Sequence, residues 1–243
     1  MKKTLKLVII SFCSLFILAS CERDNMDGPD AVFYGSIKDA KDGSLIEQDI
    51  VQGTVLEAYE MAYEKPTAQN WVIKNNGEFR NDMVFANTYD IYLRNGNFYP
   101  IEDKGVKINP GNNQRDYTVT PYIRIVNCKI EHKISDKKIV ATFSLEGGKG
   151  TEVVNHIRLY AFSDMYVGEP IKFDVKGSNF KKDINAVITP ATIYTLEIDY
   201  ATTDNAKFFK TGRNYYFRVG AKAALSGLGT IRHNYAPCVK ITL

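Results

Sequence analysis

Apolar and polar residues alternate with a period of two through most of the chain beyond residue 30. Segments such as AVFYGSIKD (residues 31–39) and TYDIYLRN (residues 88–95) place every second side chain on the same face. This alternation is typical of a strand that buries one face. In the second segment, Tyr89, Ile91 and Leu93 share the face that we expect to be buried. The pattern predicts β-structure almost throughout.

Two short motifs mark turns between the predicted strands. Asp42-Gly43 follows the first alternating run, and Asn76-Gly77 lies in the middle of WVIKNNGEFRNDMVF. An Asn-Gly pair flanked by alternating residues is a strong signal for a two-residue hairpin turn. We therefore expect residues 71–85 to form two strands of a hairpin. A single short helix is predicted over LEAYEMAY, residues 56–63.

A proline at position 121 interrupts the alternating part of the chain. It lies between two strand-like runs, and proline cannot donate a ladder hydrogen bond within a central strand. Downstream of it, about seven short strands in roughly 120 residues have the spacing of a β-sandwich. The predicted fold is therefore all-β, with two β-sandwich domains in tandem over residues 31–121 and 122–243.

The first 20 residues have the pattern of a signal peptide. Lysines at the start precede an apolar run from Leu7 to Ala19, which is shorter than the roughly 20 residues that cross a bilayer. An ordinary secretory signal would fit this pattern. The run LASC, residues 18–21, is also similar to the lipobox of bacterial lipoproteins. That resemblance implies cleavage after residue 20 and acylation of Cys21, whose acyl chains would be the membrane anchor.

An acidic segment, residues 21–30, follows that cysteine. Its composition predicts an extended tether rather than part of a core. It resembles the acid-rich export signal of surface lipoproteins of Bacteroidetes, and this resemblance implies an outer-membrane lipid anchor that faces the cell exterior. Retention on the periplasmic side is the alternative. The acidic residues are Glu22, Asp24, Asp27 and Asp30.

The charge balance gives no sign of a polyanionic partner. The chain has 31 basic and 28 acidic residues and a formal net charge of +3. Three lysines and no acids lie in residues 1–20, so the rest of the chain carries 28 residues of each sign. A nucleic-acid-binding protein usually presents a basic stripe, so nucleic acid is not expected as a partner.

The sequence presents no recognisable catalytic constellation. His132, His156 and His233 are scattered and lack a metal-ligand spacing such as His-x-x-x-His. There is no Gly-x-Ser-x-Gly elbow and no glycine-rich phosphate loop. No pair of acids can be singled out as the two carboxylates of a glycosidase. We therefore predict a non-catalytic protein that uses no metal and no cofactor.

Two further resemblances concern the predicted domains. The pieces GSIKDAKDGSLI, NNGEF and ANTYDIYL in the first half resemble the carboxypeptidase-regulatory or transthyretin-like sandwich. The piece TGRNYYFRVGAKA is similar to the sixth strand of fibronectin type III or immunoglobulin-like sandwiches. In that strand the resemblance implies that Tyr215, Phe217, Val219 and Ala221 face inward. Tyr216 and Arg218 would then face outward.

The order of these parts resembles two-domain lipoproteins of Bacteroidetes that lie beside starch-utilisation-type (Sus) transporters. The resemblance implies an accessory subunit of a nutrient-uptake system, with a TonB-dependent transporter and its surface lipoprotein as partners. Oligosaccharide would be the ligand. A structural or adhesive protein of the cell envelope, such as a pilus component, is the alternative function.

Exposed aromatic side chains are the candidates for contact with sugar, since sugar rings present apolar faces. Trp71 could stack on a ligand, although it shares a strand face with Ile73, which favours a place in the core. Phe98 and Tyr99 in NGNFYP and Tyr166 in SDMYVGEP lie in predicted loops, where recognition groups are commonly placed.

Two cysteines lie near the ends of the second predicted domain. Cys128 lies on its first predicted strand and Cys238 on its last. An extracytoplasmic compartment permits a disulfide between them, which would close a loop of about 110 residues and contribute about 4 kcal/mol. Lone cysteines are also often small core residues. Both alternatives are open at this point.

Overall fold

The computed structural model describes residues 27–243, and this part of the chain consists of strands and connecting turns. Within these residues no helix is long and apolar enough to cross a bilayer. The predicted signal peptide and Cys21 lie outside the described residues. The prediction of an all-β protein with two tandem sandwiches is confirmed.

The first sandwich, residues 31–119, packs two antiparallel or mixed sheets face to face. The strands are β1 Ala31–Asp39, β2 Val55–Glu60, β3 Ala68–Val72, β4 Glu78–Val84, β5 Thr88–Arg94, β6 Ile101–Lys107, β7 Gly111–Gln114 and β8 Tyr117–Val119. One sheet has the order β4-β1-β7, with β8 also pairing with β1, and the other has the order β3-β2-β5-β6. Tyr89, Ile91 and Leu93 are fully buried between the sheets, as the alternation predicts.

The second sandwich, residues 123–242, has its own apolar core. The strands are β9 Ile123–Lys133, β10 Lys138–Gly147, β11 Val153–Phe162, β12 Lys181–Val187, β13 Ile193–Asp199, β14 Asn214–Ala223, β15 His233–Tyr235 and β16 Val239–Thr242. A three-stranded sheet of order β13-β10-β9 covers a five-stranded sheet of order β12-β11-β14-β15, in which β16 also pairs with β14. The inward residues predicted on β14, from Tyr215 to Ala221, are all buried.

Two local predictions are wrong. Residues 56–60 of the predicted helix belong to β2, where they alternate between buried and half-buried positions against β3 and β5. The predicted hairpin forms its turn, with Gly77 at φ 84°, but its strands diverge into different sheets. Only an isolated bridge between Ile73 and Phe79 joins them. Each strand instead pairs over several residues with a strand of its own sheet, β3 with β2 and β4 with β1.

The strand directions place the two sandwiches end to end. β1 begins beside Ala86, whose N–H donates to Asp30 at 2.7 Å, and ends at Asp39, which bonds to Arg124 of the second sandwich. β11 begins next to Glu152, which accepts a hydrogen bond from Tyr99 of the first sandwich. From there β11 leads away from the contact between the sandwiches, which we call the junction. The chain therefore enters at one end of the molecule, and the last residues of β11 lie towards the other.

Candidate functional site

Two of the four aromatic candidates lie in the core of the first sandwich. Trp71 is 6% exposed, and its ring lies 5.5 Å from those of Phe33 and Tyr89. Phe98 is 1% exposed, because the bridge to Pro121 closes its loop at the junction. Neither ring can stack on a ligand, so for Trp71 the core alternative holds, and the predicted binding role of Phe98 is wrong.

Tyr99 lies in the junction and not on an open loop. Its ring meets that of Tyr122 edge-on at 5.0 Å, and the ammonium of Lys149 lies 3.7 Å from the ring centre. Its hydroxyl donates to Glu152 at 2.7 Å. Burial opposes ionisation of Glu152, but this bond and those from the backbone N–H groups of Lys149 and Thr151 outweigh it and lower its pKa. Tyr99 therefore joins the sandwiches, so its predicted place on an open loop is wrong, whereas a ligand role for this half-buried ring stays a prediction.

Tyr166 is the one aromatic candidate that the structure exposes. It lies in the loop after β11, is 40% exposed, and its N–H donates to Asp164 at 3.1 Å. Its neighbour Met165 is 47% exposed. A ligand role for Tyr166 stays a prediction.

The two cysteines are free thiols, so of the two alternatives the disulfide is excluded and the unbridged, packed cysteine remains. Cys128 on β9 packs against the core inside the second sandwich. Cys238 packs against Tyr160, Val167 and Tyr235, which form a separate cluster with the outward side chains of the five-stranded sheet. The sheet therefore separates the two thiols. Burial raises the pKa of each to about 11.

The fold brings together two histidines that are far apart in the sequence. The Nε2 atoms of His156 and His233 lie 3.0 Å apart, so one ring donates to the other. Burial and the neighbouring ring lower the pKa of His233 to about 3, and burial also lowers that of His156. The pair is therefore neutral at pH 7. Across residues 27–243, no three potential ligands among His, Cys, Asp and Glu converge on a metal position.

Arg218 has surroundings that the sequence did not predict. The resemblance to a fibronectin-like strand implied that its side chain faces outward, and the side chain is nevertheless fully buried. It does point out of the second sandwich, but the connection over residues 44–53 of the first sandwich covers it. Its guanidinium pairs with Glu47 and lies 4.3 Å above the ring of Tyr235. It also donates to the carbonyls of Gln48, Asn75, Val167 and Ala236.

A second buried carboxylate lies beside this arginine. Asp49 accepts a hydrogen bond from the Tyr235 hydroxyl at 2.7 Å, whereas its Oδ1 atom is buried without a partner among the described residues. Burial raises its pKa to about 6, although the bond to Tyr235 and the charge of Arg218 oppose the shift. Arg218 and Asp49 make the junction a buried polar network. It joins the two sandwiches, and a pocket of about 200 Å³ beside it is lined in part by Glu47, Arg124 and Tyr235.

An open cleft lies at the far end of the second sandwich, where β11 ends and β14 begins. We call it the distal cleft. Its volume is about 640 Å³, and Ser163, Phe173, Phe208, Asn214 and Tyr215 contribute to its walls. A depression of 330 Å³ on the first sandwich, around Tyr34, is smaller.

The segment before β14 is held in place by a buried asparagine. Asn205 is fully buried, and its side chain bonds to both backbone groups of Lys176 and to the carbonyl of Asp199 at 2.7–2.9 Å. Next along the chain, Phe209 enters the core whereas Phe208 is half-buried and lines the cleft. The fixed segment therefore presents the Phe208 ring on a rigid support.

Two stacked rings form the apolar wall of the distal cleft. The centres of Phe173 and Phe208 are 5.1 Å apart and their planes differ by 13°. Tyr215 packs edge-on to Phe173, and its hydroxyl accepts a hydrogen bond from the N–H of Lys210 at 2.7 Å. The Asn214 amide and the Ser163 hydroxyl border the same space. An apolar ring face beside hydrogen-bonding groups suits a ligand with both apolar faces and hydroxyls.

Two family profiles cover most of the chain. Residues 31–120 match the N-terminal domain described as a protein of unknown function (DUF3823), and residues 123–240 match the domain of unknown function DUF3823_C. The chain belongs to the DUF3823 family. No curated protein matches it. The finer resemblances of the two DUF3823 domains, to carboxypeptidase-regulatory and fibronectin-like sandwiches, stay predictions.

Solved structures similar to this chain include proteins from Bacteroides and Parabacteroides. A candidate carbohydrate binding protein from Bacteroides uniformis is 46% identical, with 89% of this chain and 100% of that chain covered and a TM-score of 0.84. A DUF3823 family protein from Bacteroides uniformis is 14% identical (88% and 100% covered, TM-score 0.71), and one from Parabacteroides merdae is 18% identical (89% and 100% covered, TM-score 0.68). At these lower identities the similarity shows the shared fold alone.

Proposed function

We propose that this DUF3823 protein is a lipid-anchored, non-catalytic glycan-binding protein of the cell surface. In this proposal it serves as an accessory subunit of a Sus-type uptake system, beside a TonB-dependent transporter and its surface lipoprotein. The distal cleft carries the proposal, because it offers the Phe208 ring on a rigid support with polar groups around it. The 46% identity to a candidate carbohydrate binding protein supports the same ligand class.

The position of the cleft fits a tethered protein. The chain enters at the far end of the first sandwich, and the anchor on Cys21 would lie nine residues before Asp30. An extended segment of that length spans at most about 30 Å. The anchor would therefore hold the entry end near the membrane, with the distal cleft turned towards the medium.

Binding to oligosaccharides tests the ligand branch of the proposal. Affinity electrophoresis and calorimetry on a glycan panel should identify a ligand, and Phe208→Ala should weaken its binding about fivefold, since an aromatic stack contributes about 1 kcal/mol. Phe208→Leu keeps apolar contact with Phe173 but removes the ring, so it separates lost stacking from lost folding. Phe85→Ala is the matched control, because Phe85 is 43% exposed near the entry end. Equal losses in Phe85→Ala and Phe208→Ala would contradict the assignment of the cleft.

The membrane and transporter branches need separate tests. Cys21→Ala should release the protein from the membrane fraction and abolish labelling with palmitate. The wild-type protein, extracted with detergent from outer membranes, should co-purify with a TonB-dependent transporter. Recovery in a pilus or matrix fraction, together with no binding to any glycan, would instead favour the structural alternative.

A further inference from the structure

Three cationic side chains surround the stacked rings of the distal cleft. Lys207, Lys210 and Arg213 all line it and are all exposed, whereas no acidic residue lines it. The ammonium of Lys207 lies 5.0 Å from the centre of the Phe208 ring. The cleft therefore combines a stacking surface with a local excess of positive charge.

These cations are not neutralised by neighbouring side chains. Within residues 27–243, no carboxylate lies within 4.0 Å of Lys207, Lys210 or Arg213. The charge of Lys207 is one of several that lower the pKa of Asp174, but the Asp174 carboxylate already pairs with Lys176 at 2.6 Å. The positive charge is thus available to a ligand.

Some cations elsewhere in the described residues are paired with a carboxylate. Arg94 of the first sandwich pairs with Glu57, and Lys138 of the second pairs with Glu197. The chain beyond residue 20 has equal numbers of basic and acidic residues, so a group of three unpaired cations is a local feature and does not reflect the net charge.

We infer that the distal cleft binds acidic saccharides, in which a sugar ring stacks on Phe208 and a carboxylate or sulfate group lies against the cations. This inference rests on the proposed function and adds the chemical class of the ligand. A guanidinium can donate two parallel hydrogen bonds to either oxyanion, and the two ammonium groups add charge without fixing direction. The Ser163 hydroxyl and the amide N–H groups of Asn214 remain for the sugar hydroxyls, whereas the Asn214 Oδ1 atom already accepts a hydrogen bond from Thr242 at 2.7 Å.

The test compares polymers that differ in charge and in the anionic group. Calorimetry with the full protein would use oligomers of polygalacturonate, which carries only carboxylates, of carrageenan, which carries only sulfates, and of neutral starch, each at two salt concentrations. We expect at least one acidic polymer to bind on the order of tenfold more tightly than starch, with an affinity that falls as salt rises. Whichever acidic polymer binds more tightly identifies carboxylate or sulfate as the preferred group.

Charge-removing variants locate the site. The double variant Lys210→Gln/Arg213→Gln should reduce the affinity for the acidic polymer about tenfold, which corresponds to about 1.4 kcal/mol for two exposed charge contacts together. Its affinity for starch should not change. The matched control Arg80→Gln/Lys107→Gln removes one arginine and one lysine from the surface of the first sandwich and should leave both affinities unchanged.

Several results would overturn the inference. If starch binds as tightly as the acidic polymers and depends on Phe208, the inference fails while the proposed function stands. If no glycan of either class binds, the proposed function itself fails. Undiminished binding of acidic polymer by the double variant places the site elsewhere and refutes the assignment. Equal binding of polyphosphate, which has no sugar ring to stack, indicates simple polyanion attraction and also refutes it.

Discussion

Replacing Arg218 with methionine should strongly destabilise the protein through the junction. The substitution keeps an unbranched apolar side chain in place but removes the cation that Glu47 and four backbone carbonyls face. Breaking a buried ion pair by removing one partner costs about 3–5 kcal/mol. The Glu47 side chain is 18% exposed, so water can solvate part of the orphaned carboxylate and we expect the lower figure, about 3 kcal/mol.

That loss corresponds to a fall in melting temperature of about 6–12 °C for a chain of this size. Urea unfolding can measure it with two probes. Trp71 is the single tryptophan and lies in the core of the first sandwich, whereas the substitution lies in the second. A lower urea midpoint in Trp71 fluorescence would therefore report that the junction couples the two sandwiches, and far-UV circular dichroism would follow the whole chain.

The matched control is Arg80→Met. Arg80 pairs with Asp82 at the surface, where its side chain is 49% exposed, and its loss should change stability by less than about 0.5 kcal/mol. The double variant Glu47→Gln/Arg218→Met should lose less than the sum of the single variants, because it leaves no unpaired charge. The reasoning is refuted if Arg218→Met and Arg80→Met differ by less than about 1 kcal/mol, or if the Trp71 transition does not move.

Two further predictions concern the junction and the thiols. Burial raises the pKa of Asp49 to about 6, above its unfolded value of about 3.9, so the unfolded chain releases this proton at a lower pH than the folded chain. The contribution of Asp49 to stability therefore falls as pH rises from about 4 to about 6. Asp49→Asn keeps an acceptor for Tyr235 but does not titrate, so the wild type should lose stability relative to Asp49→Asn over that interval. Urea midpoints measured at several pH values test this. Urea midpoints of the two proteins that change in parallel with pH would contradict the assignment. Alkylation of the unfolded, unreduced protein should modify both Cys128 and Cys238, as peptide mass spectrometry can check; unmodified thiols that react only after reduction would indicate a disulfide.

The sequence contains the information for the strands but not for what covers them. On β14, inward positions such as Phe217 are buried, as the resemblance to a fibronectin-like strand implies. The outward positions on the same strand differ, since Tyr216 is half-buried and Arg218 is fully buried. The difference arises because residues 47–49, about 170 positions earlier, fold over Arg218. No local pattern encodes a contact of that separation.

The candidate site shows the same limit. Phe98 and Tyr99 occupy a loop by every local criterion, and the second sandwich closes that loop at the junction. Phe208 and Phe209 are adjacent and chemically identical, and only the anchoring of Asn205 decides which ring enters the core. The charged residues of KFFKTGR, residues 207–213, were the available signal for the cleft, because they interleave with two phenylalanines.

The parallel pairing of β1 with β8 has a mechanical consequence. The chain enters the first sandwich at the start of β1 and leaves it at the end of β8, and the two strands lie side by side with Ile37 opposite Tyr117 and Asp39 opposite Val119. Tension between residue 27 and the second sandwich pulls these neighbours in opposite directions along their length. Their hydrogen bonds are then loaded together in shear and cannot be unzipped one by one. Resistance to forced unfolding depends on the barrier to unfolding, so this arrangement suits a protein that holds a long polymer at one end and is fixed at the other.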